Sequence, residues 1–397
     1  MASHPRPRGA DDAAASVLER GRGLASGPPA DRIPGSVGAG LSVSLDASRA
    51  PSSAATGWRP RSRRRRGPPT WARWFARLVA RVYLRRPELA EAVAIRYRSL
   101  RAIAAGVFNE LAYRLGATRA PFLVSANLEL TNRCNLKCTF CPTADGRMTR
   151  PKGHMDETLF LRALEGAGRL EFVLLFQWGE PLLHPRFAEL AALAARRGVR
   201  TLVTTNGTLL DDRRIAGLLG AGVDRVTVSV DGDAATHEAV RAVPLAATRA
   251  AIERLVAARD AADAETSVDV SMVVAPETEA GAAAFRREFE GRVDRVQTIP
   301  LLTQGARRTR CREPWRGGLV VLSDGRCTVC CVDHDGVLAV GDARRESLAS
   351  IWNGDAMRAL RRAHAAGELP PICATCTEYP TDAAAPRFVG STRAPGT

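Results

Sequence analysis

No run of 18 or more apolar residues occurs anywhere in the 397-residue chain, which excludes a spanning helix. The N-terminus lacks the apolar core of a secretory signal, so an exported protein is not expected. The nine cysteines are odd in number, which argues against a disulfide framework and points to a reducing, cytoplasmic setting. No internal repeat is present, which sets solenoids aside. After Met1 the next methionine is Met148, so whether residues 1–70 belong to the mature protein stays open. What remains is a composition of 45% apolar and 25% charged residues, ordinary for two or three globular domains.

The net charge of +15 is unevenly placed. Residues 1–120 hold 22 Arg against 8 acidic residues, and residues 121–397 hold 35 basic against 34 acidic. A near-neutral body therefore follows a basic extension, and no nucleic-acid partner is expected. Residues 1–70 read as a disordered basic tail ending in Arg63–Arg66 and Gly67-Pro68-Pro69. From Trp71 an amphipathic helical segment runs to about residue 118. Its first helix carries Arg73, Arg77, Arg81 and Arg85 as a stripe. That stripe is either a solvated face or, over residues 71–86, a contact with an anionic membrane surface, which would make the protein membrane-peripheral. A second helix starts near Pro87 and stops at Gly116.

From Phe122 strands and helices alternate. The strands are expected at 122–130, 171–178, 200–205, 225–230, 267–274 and 293–301. The helices are expected at 156–167, 185–197, 211–219, 248–262 and 277–290. Six such units predict an α/β domain with a parallel sheet, an incomplete barrel or a wound sheet, with functional groups at the C-terminal strand ends. After residue 305 a hairpin turning at Asp324-Gly325 and a helix over 347–366 form a small second module.

The cysteines fall in three groups. Cys134, Cys138 and Cys141 make C-x3-C-x2-C on the loop after the first strand; Cys311 precedes Cys327, Cys330 and Cys331; Cys373 and Cys376 make C-x2-C. Three thiolates without a fourth nearby suit a [4Fe–4S] cluster with one open iron better than a closed zinc site, or buried free cysteines.

The segment Glu129–Pro142, with its three cysteines placed after strand one, resembles the radical S-adenosylmethionine (SAM) superfamily. The resemblance implies a partial (β/α)6 TIM-like barrel over 119–304. Trp178-Gly179-Glu180-Pro181 stands where the family has a Gly-Gly-Glu-Pro-like segment that binds the SAM amino group, with Trp178 replacing the first Gly. Gly179 would let the ligand approach the backbone, and Glu180 would face the ammonium. Thr205, Asn206, Ser229 and Asp231 resemble segments that line the SAM pocket. His184 and His237, just beyond strand ends, read as satisfied surface histidines. Val274-Ala275-Pro276 departs from the family pattern at the fifth strand.

Residues 305–385 resemble the SPASM/twitch extension, with 386–397 a flexible C-terminus. Because Cys376 is the last cysteine, the resemblance implies one auxiliary [4Fe–4S] cluster on Cys311, Cys330, Cys373 and Cys376, with Cys327 or Cys331 the substitutes for Cys330 and structural zinc the alternative. It implies reductive cleavage of SAM, hydrogen abstraction from substrate, electron relay through the auxiliary cluster, and a reductase or flavodoxin-type donor. The substrate expected is a small molecule, sugar- or cyclitol-like, with maturation of a ribosomally made peptide as the alternative. The competing class is a non-enzymatic Fe–S electron carrier or nucleic-acid-binding protein, against which the intact Glu180 and three cysteines speak. No catalytic acid or base is assigned.

Overall fold

The computed structural model describes residues 99–144, 146–301 and 310–376, together with Trp74. The expected tail, the 71–86 helix and the C-terminus beyond 376 lie outside the described residues. Helix α1 (Leu100–Arg114) opens at Ser99, whose extended backbone and hydroxyl cap the Ala102 N–H. Within the described residues the expected second helix begins at Leu100, and its expected start at Pro87 lies outside them. Asn109 fastens α1 to the next segment with both ends of its amide, donating to the Phe122 carbonyl and accepting from the Phe122 N–H.

Six parallel strands follow: β1 (Ser125–Leu128), β2 (Phe172–Leu174), β3 (Arg200–Thr205), β4 (Arg225–Ser229), β5 (Ser267–Val274) and β6 (Arg295–Pro300). Among these six, each pairs with its sequence neighbours, as right-handed βα units should. β4 buries Val226, Thr227 and Val228 in succession and β5 buries every residue from Ser267 to Met272, the pattern of strands covered on both faces. Among the covering helices are α2 (Glu157–Glu165), capped by Asp156, and α3 (Phe187–Arg196). α3 buries Phe187, Leu190, Ala191 and Ala194, spaced as one stripe of a helix. α4 (Asp212–Gly220) is capped by Asp211. The expected 248–262 helix begins earlier, as α6 (Leu245–Ala261), and the 277–290 helix resolves into a 3₁₀ turn and α7 (Ala282–Phe289).

Two differences bear on function. A helix absent from the sequence reading, α5 (Ala234–Arg241), stands between β4 and α6, capped by Asp233. It is only two turns long and closely followed by Pro244, so its period is hidden. The C-terminal module is also not a detached layer. β7 (Gly318–Val321) adds parallel to β1, and β8 (Arg326–Thr328) and β9 (Gly341–Asp342) continue antiparallel, giving one nine-stranded sheet in the order β6-β5-β4-β3-β2-β1-β7-β8-β9. Gly317 permits this junction: its φ is +90° and a Cβ there would lie 2.8 Å from both Asn109 Nδ2 and Val124 Cγ2.

The expected 347–366 helix is two helices, α8 (Leu348–Trp352) and α9 (Asp355–Ala366), broken at Asn353-Gly354. The break is held by Arg361, whose buried guanidinium donates to the carbonyls of Thr118, Pro314 and Trp352 and to Asn353 Oδ1. No helix among the described residues is long and apolar enough to cross a membrane.

Core and module are also joined by a buried ion pair. The Arg150 Nη1 and Nη2 atoms donate to the two oxygens of Glu129 at 2.9 and 2.8 Å, and Arg150 Nε reaches the His334 carbonyl. Both side chains are at most 2% exposed. Removing one partner strands a buried charge, so Arg150→Met is expected to destabilise the chain by about 3–5 kcal/mol. Denaturant unfolding of the single and the Glu129→Gln/Arg150→Met double variant checks this. The double should cost less than the sum, and additivity would mean that the two side chains act independently.

Candidate active site

The loop carrying the first three cysteines leaves the C-terminal end of β1 and is anchored at both ends. Asn132 Nδ2 donates to the Pro151 carbonyl and its Oδ1 accepts from the Gly153 N–H. The Thr139 N–H donates to the Val240 carbonyl on α5. Gly179, at φ +100°, lies against the same loop: a Cβ there would meet the Thr131 and Arg133 carbonyl oxygens at 2.7 Å each. The close approach that requires glycine is thus to the chain's own backbone.

Cys134, Cys138 and Cys141 are half-buried and free. Burial raises the Cys134 and Cys138 thiols, Cys138 to about 11, with the neighbouring cysteines adding to the rise. Arg241 on α5 works against it at Cys138. Among the described residues no three Cys, His, Asp or Glu groups converge on a single ion position. Thiols that ligate different irons of a cluster have no need to. Three soft thiols, near enough to repel as thiolates and without a carboxylate among them, are a donor set that fits an iron–sulfur cluster.

The polar groups expected around SAM divide into two kinds. Glu180 is 1% exposed, and its carboxylate accepts from the Thr205 hydroxyl, the Asn206 N–H and the Leu182 N–H. Burial still raises it above the usual carboxylate range. Asp231 is fully buried; it pairs with Arg241 Nε at 2.7 Å and accepts from the Val273 N–H. Asn206 Nδ2 donates to Asn135 Oδ1, and its own oxygen accepts from both the N–H and the hydroxyl of Thr208. Glu180 and Asn206 therefore lock the ends of β2 and β3 to each other and to the cysteine loop, while Asp231 ties the end of β4 to β5 and α5. Trp178 and Ser229 are different. Trp178 Nε1 is buried with no acceptor among the described residues, and the indole sits edge-on to His334 at 6.1 Å. Ser229, half-buried, ends β4.

His184 and His237 are not at the surface, contrary to expectation. His184 Nε2 lies 2.9 Å from the Met155 carbonyl, while Nδ1 accepts from the Arg186 N–H. His237 is fully buried; Nδ1 accepts from the Asp231 N–H and Nε2 meets the Thr248 hydroxyl at 3.2 Å. Both were read as satisfied, which they are, but the strand-end position gave no sign of the helices closing over them.

The remaining cysteines divide cleanly. Cys311, Cys330, Cys373 and Cys376 line one cavity together with His364 and apolar side chains including Val329, Leu338 and Ile372. Neither Cys327 nor Cys331 lines it. Cys327 is fully buried beside the Gly325 carbonyl, and burial pushes its thiol up to about 12. The Cys331 carbonyl accepts from Gln177 Nε2, which ties the module to the end of β2. Four thiols around one cavity fit a cluster with no open iron. Arg150, Gln177, Arg241, His334 and His364 were not singled out from sequence; their partners are remote, and no local motif marks them.

Comparison with known proteins agrees with this arrangement. Residues 128–287 match the Radical SAM superfamily and residues 311–377 match SPASM, an iron–sulfur cluster-binding domain, together more than half of the chain. The chain belongs to the radical SAM superfamily and carries a C-terminal SPASM extension, with the [4Fe–4S] clusters and SAM that these domains imply. A tungsten-containing aldehyde ferredoxin oxidoreductase cofactor-modifying protein of Pyrococcus furiosus is 38% identical over 107 residues, 26% of this chain and 30% of that protein. An AdoMet-dependent heme synthase of Methanosarcina barkeri is 37% identical over 134 residues, 33% of this chain and 37% of that protein. This chain thus spans about a third of the length of these curated relatives. Streptococcus suis SuiB bound to S-adenosylmethionine has the same fold, with a TM-score of 0.50, 14% identity, and coverage of 72% of this chain and 80% of that one.

The site makes a pH prediction. Burial pulls His237 down to about 4, so it stays neutral in the fold, whereas unfolded it titrates near 6.5. Between those values the unfolded chain binds more protons, and stability falls as pH drops from about 6.5 toward 4. His237→Gln is expected to flatten that limb of a plot of thermal midpoint against pH. An unchanged limb would assign the acid sensitivity elsewhere.

Proposed function

We propose that this chain is an enzyme that cleaves SAM reductively at a cluster held by Cys134, Cys138 and Cys141 and abstracts hydrogen from a small hydroxylated substrate, sugar- or cyclitol-like. Cys311, Cys330, Cys373 and Cys376 would hold a second cluster, which would supply an acceptor for the electron that a net oxidation releases. The observation that carries this reading is the placing of three half-buried thiols on one loop after β1, near enough to act on one another's charge, beside strand ends already locked by buried carboxylates. When bound, the open-iron cluster and SAM supply a 5′-deoxyadenosyl radical, and the chain's work is positioning and exclusion.

Glu180 and Asp231 serve as pins rather than as ligand contacts. Glu180 holds the turns after β2 and β3 by the Leu182 and Asn206 N–H groups, and Asp231 holds β5 by the Val273 N–H, so the main-chain edges keep a fixed geometry. Arg241 adds a positive charge near Cys138 that favours the thiolate. Gln177 links Asn127 to the Cys331 carbonyl, drawing the module loop over the ends of β1 and β2. The Trp178 N–H, buried there without an acceptor, suits a hydroxyl oxygen of a substrate. An electron donor of the flavodoxin or reductase class completes the system.

The test is anaerobic. The protein is reconstituted with iron and sulfide, reduced and given SAM, and 5′-deoxyadenosine is quantified. Formation is expected in the wild type and reduction to the protein-free level in Cys134→Ala. A wild type that carries a reducible first cluster yet makes none, with polyols or with peptides added, would favour an electron carrier. Stimulation by peptides and not by polyols would replace the substrate class.

The stripe of Arg73, Arg77, Arg81 and Arg85 supports peripheral contact with an anionic membrane. Full-length protein is expected to float with anionic liposomes, and a chain lacking residues 1–86 to remain behind. Equal behaviour of the two would remove that contact.

A further inference from the structure

The cavity lined by Cys311, Cys330, Cys373 and Cys376 has a fifth polar wall, His364. It lies in the last turn of α9 and is 2% exposed. One turn earlier on the same helix, Arg361 spends its donors on three carbonyls and the Asn353 amide, which fixes which face α9 turns inward. His364 is thereby directed into the cavity by packing that has its own purpose. The carboxylate on the wall, Glu313, is paired with Arg316 Nη1 at 2.7 Å. The remaining lining is apolar.

We infer that His364 is a positioning residue for the auxiliary cluster, donating an imidazole N–H toward a cluster or cysteinyl sulfur and thereby raising its reduction potential. This rests on the reading that the four thiols hold a cluster. The physical basis is general. Reduction adds negative charge to the cluster, and a hydrogen-bond donor aimed at sulfur stabilises the reduced form more than the oxidised one. In a wall otherwise apolar, a single such donor has little competition. Four thiolates already complete the ligand set, so the imidazole acts from outside it. The consequence is that the auxiliary centre becomes a better acceptor for an electron leaving the substrate.

The experiment is an EPR redox titration of the reconstituted holoprotein. Added SAM perturbs the first cluster, which has the open iron, and so separates the two signals. His364→Leu is expected to lower the midpoint of the auxiliary cluster alone, by a tenfold change in its reduction equilibrium, 59 mV for one electron. Iron content should be unchanged. His364→Gln, which keeps an N–H donor, should recover most of the shift.

A second measurement needs no stable Leu variant. In protein labelled with ¹⁵N-histidine, pulsed EPR of the reduced auxiliary cluster should give a weak nitrogen coupling that His364→Gln abolishes. An unmoved potential in a fully loaded His364→Leu protein would overturn the inference. So would the absence of that coupling, or a strong coupling and iron loss that make His364 a ligand. If the wild type takes up iron for the first cluster only, the auxiliary-cluster reading itself falls and the inference with it.

Discussion

The buried pair of Glu129 and Arg150 is the constraint on which the two halves of the molecule depend. Glu129 ends the approach to the cysteine loop and Arg150 follows its exit, so their fork closes the loop at its base. The same carboxylate accepts from the Ser323 N–H at the module's hairpin turn, and the same guanidinium reaches the His334 carbonyl beyond the Cys330-Cys331 step. Asp335 then accepts from the Thr149 N–H and hydroxyl and the Arg150 N–H. Buried ion pairs are seldom a net gain in stability over well-packed apolar groups. Here the pair and its extra hydrogen bonds impose one geometry on three segments distant in sequence, which apolar contacts alone would not specify.

A second tier of buried carboxylates completes the frame. Glu180 fastens β2's end to β3's, and Asp231 fastens β4's end to β5 and α5. Burial raises Glu180, so its three donors are what make the ionised form tolerable. A group so committed is poorly placed to reach outward to a ligand. The half-buried thiols, the buried Trp178 indole nitrogen and the half-buried Ser229 stand at the same strand ends. The replacement of the usual first glycine by Trp178 therefore puts an aromatic wall and one N–H donor at the seam between core and module.

Much of this was legible in the residues. The six alternating units follow from apolar runs of strand length separated by helical periods, and β3 and β5 have the expected limits because both flanks carry turn residues. The cysteine spacing was legible for the same reason, being local. What was not legible is long-range. Nothing near Arg150 announces Glu129, 21 residues earlier, and nothing near His364 announces a cavity whose other walls lie up to 53 residues away. Polar residues at strand ends read equally well as ligand contacts or as pins. Only their partners distinguish the two, as Asp231 and Arg241 illustrate.

The attachment of the module to β1 determines how the two thiol sets relate. Domains joined by a linker and a modest interface move relative to one another by default. Here β7 pairs with β1 residue for residue, from Ser125 opposite Gly318 to Leu128 opposite Val321. A slip of one residue would turn every side chain of β7 to the other face, so the alignment has no neighbouring alternative. Cys134 follows β1 and Cys311 precedes β7, so both cysteine groups take their positions from the same two hydrogen-bonded strands. The separation between the two thiol sets is thus set by strand pairing, and the Glu129–Arg150 pair opposes any hinge that would lengthen it.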